Sequence, residues 1–317
     1  MQSTRPLGFL FLRDLLIGAD AQFSSPFGGR LVVYGESTAS GRCLALVERY
    51  LQNLQRIYAN THTEDDITGR SMTNLLEEAE HHIKQSVNAG PDGRIIACGT
   101  GATGAIDKFQ QIIGVALPPA TRQKLQLLLR QCVGPEREAG FRTFIEHQQP
   151  VVFVGPYEHH SNEISWRENL TSVVPVELAE DGGVDLDDLE RKLQDPQYQD
   201  RMCIGSFSAA SNVTGILSPV HEIACLLHKY GAMACFDYAA SAPYVDIDMN
   251  PQNHGFDGDP SIDAIFISPH KFLGGPGSSG ILVFNSELYH RELPPCVSAG
   301  GTVDYVGPTS QDFLDQI

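Results

Sequence analysis

Positive charge is scarce in this sequence. Its 317 residues carry 22 lysines and arginines against 39 aspartates and glutamates, which gives a formal net charge of −17. Non-specific binding to nucleic acid and attraction to an anionic membrane both require a basic surface, so we expect neither partner. The acidic balance does not exclude an anionic small molecule, because a few local hydrogen-bond donors suffice to hold a phosphate group.

Long apolar runs and paired cysteines are also missing. No segment approaches the roughly 18 consecutive apolar residues of a membrane span. The apolar run Leu7–Leu12 is too short for a secretory signal and is followed at once by Arg13 and Asp14. The seven cysteines are odd in number and contain no C-x-x-C pair, which disfavours a disulfide framework and a structural zinc site. These observations predict a cytoplasmic protein in a reducing compartment.

Strand-like and helix-like segments alternate along the chain from about residue 94 onward. Several strand-like runs, such as Val151–Val154 and Ala264–Ile267, are apolar at every position, which is typical of strands buried on both faces. Strands that alternate with helices predict a mostly parallel sheet covered by helices. We therefore expect an α/β fold with three layers, α/β/α.

Polar residues of very different chemistry follow five of the predicted strands. In open α/β sheets, ligands bind beyond the carboxyl ends of the strands, so these residues should meet at one edge of the sheet. The segments are Gly99–Gly104, Glu158–Asn162, Ser208–Asn212, Asp237–Tyr238 and Ser268–Lys271. Their expected convergence is a more specific signal than any one segment.

The segment Gly99–Gly104 has the pattern G-x-G-x-x-G between a strand and a helix. Amides at a helix N-terminus point at an anion and the helix dipole favours it, so the segment predicts a phosphate site. A dinucleotide site would need an acidic residue at the end of a second strand about 20 residues further on. The sequence there, Pro118–Lys124, begins a helix instead. A purely structural glycine turn also stays possible.

Lys271, Asp237 and the pair His159 and His160 each have an ordinary interpretation and a functional one. A lysine between two buried strands either reaches water from a glycine-rich hairpin or acts as a neutral amine. Asp237 is either a loop carboxylate or helix cap, or the partner of a protonated ring nitrogen. The two histidines are either an ordinary pair whose hydrogen bonds are satisfied, or one of them supplies an imidazole ring that faces an aromatic ligand. Joint metal binding is disfavoured because adjacent residues of an extended chain point apart.

In chain order, these motifs resemble the class V aminotransferase family, and within it the branch of cysteine desulfurases and selenocysteine lyases. The matching segments are Gly101-Ala-Thr103, Glu158-His-His-Ser-Asn162, Ser211-Asn212, Asp237-Tyr-Ala-Ala240 and Ser268-Pro-His-Lys271. The similarity runs from about residue 31 to 303. It implies fold type I of the pyridoxal-phosphate-dependent transferases, with residues 1–30 as an N-terminal arm and 31–303 as the cofactor-binding large domain.

The resemblance also implies roles for individual residues. Lys271 would form the internal Schiff base with pyridoxal 5'-phosphate and move the proton at the substrate Cα. Asp237 would pair with the pyridine nitrogen, His159 would stack on the ring, and these two with Lys271 are the predicted catalytic residues. The other predicted cofactor-binding residues are Asn212 at the phenolic oxygen and Gly101, Ala102 (through its amide), Thr103, Ser268 and His270 around the phosphate. Thr302 resembles a residue that reaches the phosphate of the neighbouring subunit, which implies a homodimer.

The sequence departs from the family pattern at several points. Ala102 replaces one of the two threonines usual in the phosphate loop, and Ala240 replaces a glutamine. Family members continue beyond the equivalent of Ile317 as a small domain, which carries the arginine for the substrate carboxylate and, in desulfurases, a mobile-loop cysteine. We therefore expect residues 304–317 to begin a truncated small domain. None of the cysteines present matches that mobile-loop nucleophile, so the chain does not support desulfuration.

Together these patterns predict a pyridoxal-phosphate-dependent enzyme that acts on an amino acid, as a transaminase or as a cysteine desulfurase-like lyase. Two alternatives stay open. One is a truncated paralogue that binds the cofactor or dimerises without turnover. The other is an NAD(P)-dependent oxidoreductase that uses Gly99–Gly104.

Overall fold

The computed structural model describes residues 8–61, 65–252 and 255–314. The first seven residues of the predicted N-terminal arm lie outside the described residues, as do residues 315–317 of the predicted small-domain start. The helices are α1 (Phe9–Leu15), α2 (Ala45–Gln55), α3 (Ile67–Ser86), α4 (Gly101–Ile112), α5 (Pro119–Val133), α6 (Pro135–Gln148), α7 (Ile164–Arg167), α8 (Leu186–Leu193) and α9 (Val220–Lys229). The strands are β1 (Gln22–Ser25), β2 (Gly28–Leu31), β3 (Gly93–Cys98), β4 (Val151–Val154), β5 (Ser172–Pro175), β6 (Cys203–Ser208), β7 (Met233–Asp237), β8 (Ala264–Ile267), β9 (Gly280–Asn285), β10 (Val303–Val306) and β11 (Gln311–Phe313).

Seven of these strands form the central sheet, in the order β3-β9-β8-β7-β6-β4-β5. The neighbours from β8 to β5 are parallel, whereas β9 is antiparallel to both β8 and β3. Two reversals restore the original direction, so β3 points the same way as the five parallel strands. The carboxyl ends of six strands therefore lie at one edge of the sheet, where the sequence predicts a site.

The sheet separates two apolar cores, which is why the central strands β4 and β8 are apolar at every position. Val151 and Phe153 of β4 face one core together with Leu189 of α8 and Leu227 of α9. The alternate residues of β4 face the other core, where α4 contributes Ile106 and Phe109 and α7 contributes Trp166. Side chains on successive strand residues point to opposite faces, and here both faces are covered by helices. The predicted three-layer α/β fold is confirmed.

Further helices and two small hairpins lie at the periphery of the central sheet. Helices α5 and α6 pack against each other, and neither contains a buried residue. A hairpin of β1 and β2 occupies residues 22–31, and β10 pairs with β11 in a second hairpin. None of the helices in the described part of the chain is both long enough and apolar enough to cross a membrane.

Candidate active site

A cavity of about 430 Å³ opens at the carboxyl edge of the central sheet. Nine of the ten predicted site residues line it: Gly101, Ala102, Thr103, His159, Asn212, Asp237, Ser268, His270 and Lys271. They come from the N-terminus of α4, the segment after β4 and the ends of β6, β7 and β8. Residues up to 170 positions apart in the chain thus face one space, because the strands that carry them point in the same direction.

The glycine-rich turn that begins α4 is shaped by its neighbours across the sheet edge. Gly101 has a positive φ of +60°, a conformation that glycine adopts without steric penalty. A Cβ atom at this position would lie 2.7 Å from Cε1 of His270 and 2.9 Å from Oγ of Ser268. The turn after β3 and the segment after β8 are therefore in direct contact, and glycine makes that contact possible.

One end of the cavity is suited to an anion. The amide of Ala102 in the first turn of α4 donates a hydrogen bond of 2.7 Å to Oγ of Ser268. Nδ1 of His270 is buried and has no hydrogen-bond partner among the described residues. The helix N-terminus, a hydroxyl and an unpaired imidazole nitrogen together can hold a phosphate group. Since the Ala102 amide already binds Ser268, the two residues act as one unit rather than as separate donors.

Lys271 and Asp237 face the same cavity. Burial lowers the pKa of the Lys271 amine, which the charge of Asp237 partly opposes. Asp237 is 4% exposed, and burial raises its pKa to about 6, against the hydrogen bond from the Ala239 amide (2.8 Å) and the charge of Lys271. Near neutral pH, this combination favours an ionised Asp237 and makes the neutral form of the Lys271 amine more accessible than usual.

His159 lies in the segment after β4 with a defined tautomer. Its Nδ1 accepts hydrogen bonds from the amide of Ser161 (3.2 Å) and is 2.7 Å from the Ser161 hydroxyl. Since Nδ1 accepts, the proton of the neutral ring lies on Nε2. Burial lowers the pKa of His159, and the charges of Lys271 and His160 lower it further. The ring is therefore neutral and available for stacking. The described residues contain no group of three or more ligands that could hold a metal ion.

Thr302 is the predicted site residue that lies elsewhere. It ends the short turn Gly300–Thr302 and lines a different cavity with Phe313 and Leu314. Its hydroxyl is 2.8 Å from the carbonyl of Ala299 and 3.0 Å from the Ala299 amide. A single chain therefore does not bring Thr302 to the other nine residues, and its expected role across a subunit interface stays a prediction.

Several residues of the cavity were not singled out from the sequence. Glu36, Thr38 and Ala39 line it from the segment before α2, and Ser161 and Ser208 line it from the strand ends. The amide of Gly41 donates to the carbonyl of His270 (2.9 Å), so this early segment lies directly against the lysine segment. The sequence carries a weak signal for this segment, because residues 34–42 match the class V family pattern only loosely.

The other unassigned residue is Glu158, which the sequence placed within a motif but without a role. The residue is half-buried, and its carboxyl group accepts hydrogen bonds from Ser208 and Asn162 below the cavity. Burial raises its pKa to about 7 despite the hydrogen bonds from Asn162 and Ser208, and the charge of Asp237 adds to the rise. No sequence pattern distinguishes such a carboxyl group from a surface glutamate.

Comparisons with known proteins show which family this chain is similar to. The family model "Aminotransferase class-V" matches residues 141–316. A probable cysteine desulfurase from Halalkalibacterium halodurans is 26% identical over 284 residues, which cover 88% of this chain and 59% of that protein. Probable cysteine desulfurase 2 from Mycobacterium leprae is 31% identical over 167 residues, 51% of this chain and 36% of that protein.

Solved structures resemble this chain in fold. The apo structure of a cysteine desulfurase from Thermococcus onnurineus NA1 matches with a TM-score of 0.65 at 18% identity, over 89% of this chain and 60% of that one. A cysteine desulfurase from Escherichia coli matches with a TM-score of 0.61 at 21% identity, over 88% and 60%. At these identities the likeness establishes the fold. In these broad matches, the chain spans about three fifths of the length of its relatives.

Proposed function

Because the chain belongs to the aminotransferase class-V family, we propose that it is a pyridoxal-phosphate-dependent enzyme that acts on an amino acid in the cytoplasm. Pyridoxal 5'-phosphate is the cofactor of this family. The observation that carries the proposal is the shared cavity of Lys271, Asp237 and the N-terminus of α4. An amine, a carboxylate and an anion site within one cavity match the three polar groups of this cofactor, which are its aldehyde, its ring nitrogen and its phosphate.

The residues of the cavity fit this cofactor. The unpaired Nδ1 of His270 and the first turn of α4 are suited to the phosphate. The buried Asp237 is suited to a protonated ring nitrogen, since a carboxylate in such a position is stabilised by an adjacent positive charge. Asn212 lines the same cavity and offers an amide to the phenolic oxygen. We therefore assign the phosphate to Gly101, Ala102, Thr103, Ser268 and His270.

When bound, the cofactor supplies an electron sink for the bonds at the substrate Cα. The amine of Lys271 would hold the cofactor and move the proton at the substrate Cα, for which a lowered pKa is required. Asp237 would hold a proton at the ring nitrogen, and the neutral imidazole of His159 would stack on the ring. The position of each of these side chains at the cavity supports the assignments.

We propose loss of a substituent from the Cα of an amino acid, by transamination or by a lyase reaction. All seven cysteines lie within the described residues, and none of them lines the cavity. A thiol nucleophile for desulfuration is therefore not supplied by the described part of this chain. We further propose a homodimer in which Thr302 approaches the site of the neighbouring subunit.

A cofactor-trapping experiment tests the proposal. The purified chain is mixed with pyridoxal phosphate, reduced with sodium borohydride, digested and analysed by mass spectrometry. We expect the wild type to develop a near-visible absorbance band and to retain the cofactor on the peptide that contains Lys271. Lys271→Ala should show neither, whereas Lys124→Ala on the exposed helix α5 should behave as wild type. A folded wild-type protein without the band or the labelled peptide would overturn the proposal.

A further inference from the structure

The carboxyl group of Glu158 is surrounded by four hydrogen-bond donors. Oε1 accepts from the amides of Gly155 (3.2 Å) and Ser208 (2.8 Å). Oε2 accepts from the Ser208 hydroxyl (2.7 Å) and from Nδ2 of Asn162 (2.6 Å). These partners belong to the carboxyl end of β4, the carboxyl end of β6 and the turn His160–Asn162. A single side chain thus joins three pieces of backbone below the cavity.

The orientation of the Asn162 amide is fixed by its other partners. Oδ1 of Asn162 accepts from the indole of Trp166 (3.3 Å) and from the hydroxyl of Ser206 (2.6 Å). Because an indole nitrogen only donates, the oxygen of Asn162 must face Trp166 and its nitrogen must face Glu158. Asn162, Trp166 and Ser206 are fully buried. The bond between Asn162 and Glu158 therefore has one polarity, and a carboxyl oxygen at residue 158 satisfies it.

This bond closes the loop that carries His159. The loop runs from residue 158 to residue 162, and the backbone N–H of Asn162 donates to the His159 carbonyl (2.8 Å). Within the loop, the Ser161 amide donates to Nδ1 of His159. Backbone and ring of His159 are thus both held by a loop whose two ends are joined through the Glu158 carboxyl group.

Glycine at position 155 leaves room for the carboxyl group. A Cβ atom there would lie 2.6 Å from Oε1 of Glu158, closer than such atoms approach without displacement. The four donors around Glu158 also explain why a side-chain amide cannot replace its carboxyl group. Glutamine would turn an N–H toward either Asn162 or a backbone amide, which leaves two donors facing each other. The arrangement is specific for a carboxyl group, although burial disfavours its charge.

We propose that Glu158 is a positioning residue of the cofactor site, which holds the imidazole of His159 in place through Asn162 and Ser208. This inference rests on the proposed function, because His159 needs a fixed position only if a ring is stacked on it. Glu158 does not line the cavity, so its effect on the cofactor must pass through its neighbours.

A double-mutant cycle tests this inference. Pyridoxal phosphate affinity and the circular dichroism of the bound cofactor are measured for wild type, Glu158→Gln, His159→Ala and the double variant. We expect Glu158→Gln to weaken affinity by about tenfold, as for loss of hydrogen bonds to a charged group, and to reduce the cofactor signal. In the His159→Ala background, Glu158→Gln should have no further effect, because the residue that it positions is absent. Glu180→Gln, an exposed glutamate, serves as the matched control.

If Glu158→Gln does not fold, the same cycle is run with Glu158→Asp, which keeps the charge but withdraws the carboxyl group from Asn162.

The outcomes separate this inference from the proposed function. Equal losses from Glu158→Gln with and without His159 would overturn the positioning role, since the effect would then not pass through the imidazole. Wild-type affinity in Glu158→Gln would overturn it as well, while leaving the proposed function intact. Failure of the wild type to bind pyridoxal phosphate would overturn the proposed function and this inference together.

Discussion

The hydroxyl of Ser268 accepts a hydrogen bond of 2.7 Å from the backbone amide of Ala102, which ties the carboxyl end of β8 to the first turn of α4. We expect Ser268→Ala to weaken pyridoxal phosphate binding by about tenfold, because it removes this bond and a hydroxyl that faces the anion. Affinity is measured by titration of the cofactor-free protein at constant salt. Ser86→Ala, an exposed serine of α3, should leave affinity unchanged. Equal affinities of Ser268→Ala and wild type would contradict the role of this contact.

Gly101→Ala should destabilise the protein more than the same change at Gly114. Both glycines have positive φ, +60° and +76°, so alanine at either position is strained by about 1 kcal/mol. A Cβ atom at Gly114 meets nothing within 4 Å, whereas one at Gly101 would press on His270 and Ser268. The added overpacking should cost about 1–3 kcal/mol. Urea unfolding of both variants measures the difference, and equal destabilisation would mean that the neighbours of Gly101 give way freely.

Asp237→Asn should stabilise the cofactor-free protein at high pH. The folded pKa of Asp237 is about 6 and its ordinary value is 3.8, so the folded state binds the proton more tightly than the unfolded state. The ionised carboxylate therefore lowers stability above pH 6, by on the order of 3 kcal/mol, and this loss disappears below about pH 4. Asparagine removes the charge at every pH.

Melting curves of cofactor-free wild type and Asp237→Asn at pH 8 and pH 4.5 check this expectation. The variant should melt at a higher temperature at pH 8, and the difference should shrink at pH 4.5. Asp20→Asn, at an exposed position, is the control for the change of net charge. A variant less stable than wild type at pH 8 would show that the Asp237 charge is compensated in the empty site.

His228 should also make the protein less stable as the pH rises, because its pKa is likewise raised in the folded state. Its Nε2 is 3.0 Å from a carboxylate oxygen of Asp263 and its Nδ1 is 3.0 Å from the carbonyl of Asp259. Both partners accept only, so both ring nitrogens donate and the ring is an imidazolium. Burial lowers the pKa of His228, but the hydrogen bond and charge of Asp263 outweigh it and the net shift is upward. The stabilisation is complete below about pH 6.5, the unfolded value, and is lost as the pH rises through the folded pKa.

Urea unfolding of wild type and His228→Gln at pH 6 and pH 9 measures this effect. The variant should lose about 1 kcal/mol or more at pH 6 and less at pH 9. In an Asp263→Asn background, the effect of His228→Gln should differ less between the two pH values, because only the contacts with Asp259 then raise the pKa of His228. A loss that is independent of pH in the native background would contradict the ion pair.

The sequence predicted the elements in which local pattern and burial agree. β4 and β8 are buried at every position, and their bounds follow from the apolar runs Val151–Val154 and Ala264–Ile267. Helix α6 was not predicted, because none of its residues is buried and no apolar stripe marks it. The proline- and glycine-containing sequence of residues 24–30 predicts a loop and the apolar run at 31–34 predicts a strand. Both predictions are wrong, since β1 and β2 form a hairpin that ends at Leu31. Two strands that pair while exposed to solvent need no alternation of apolar and polar residues, so the sequence pattern does not reveal them.

The candidate site was predicted as far as motifs at strand ends allow. Lys271, Asp237 and His159 each follow a buried strand, so their meeting follows from strand direction. Glu36 and Thr38 reach the cavity from a segment more than 200 residues away from Lys271 in the chain, and only tertiary packing reveals that contact. The role of Glu158 is also visible only in the folded chain, because its hydrogen-bond partner Ser208 lies on another strand.

The antiparallel strand β9 also governs when the site can form during synthesis. β3 has β9 as its sole neighbour in the central sheet, and their pairing joins residue 93 to residue 285. Gly101 and the first turn of α4 therefore leave the ribosome long before β9, the strand that pairs with β3, has been synthesised. Until then the edge of β3 that pairs with β9 has no partner strand, and contacts of such long sequence separation form slowly. Cofactor binding should accordingly be a late event in folding, and released nascent chains that end before residue 280 should aggregate rather than bind.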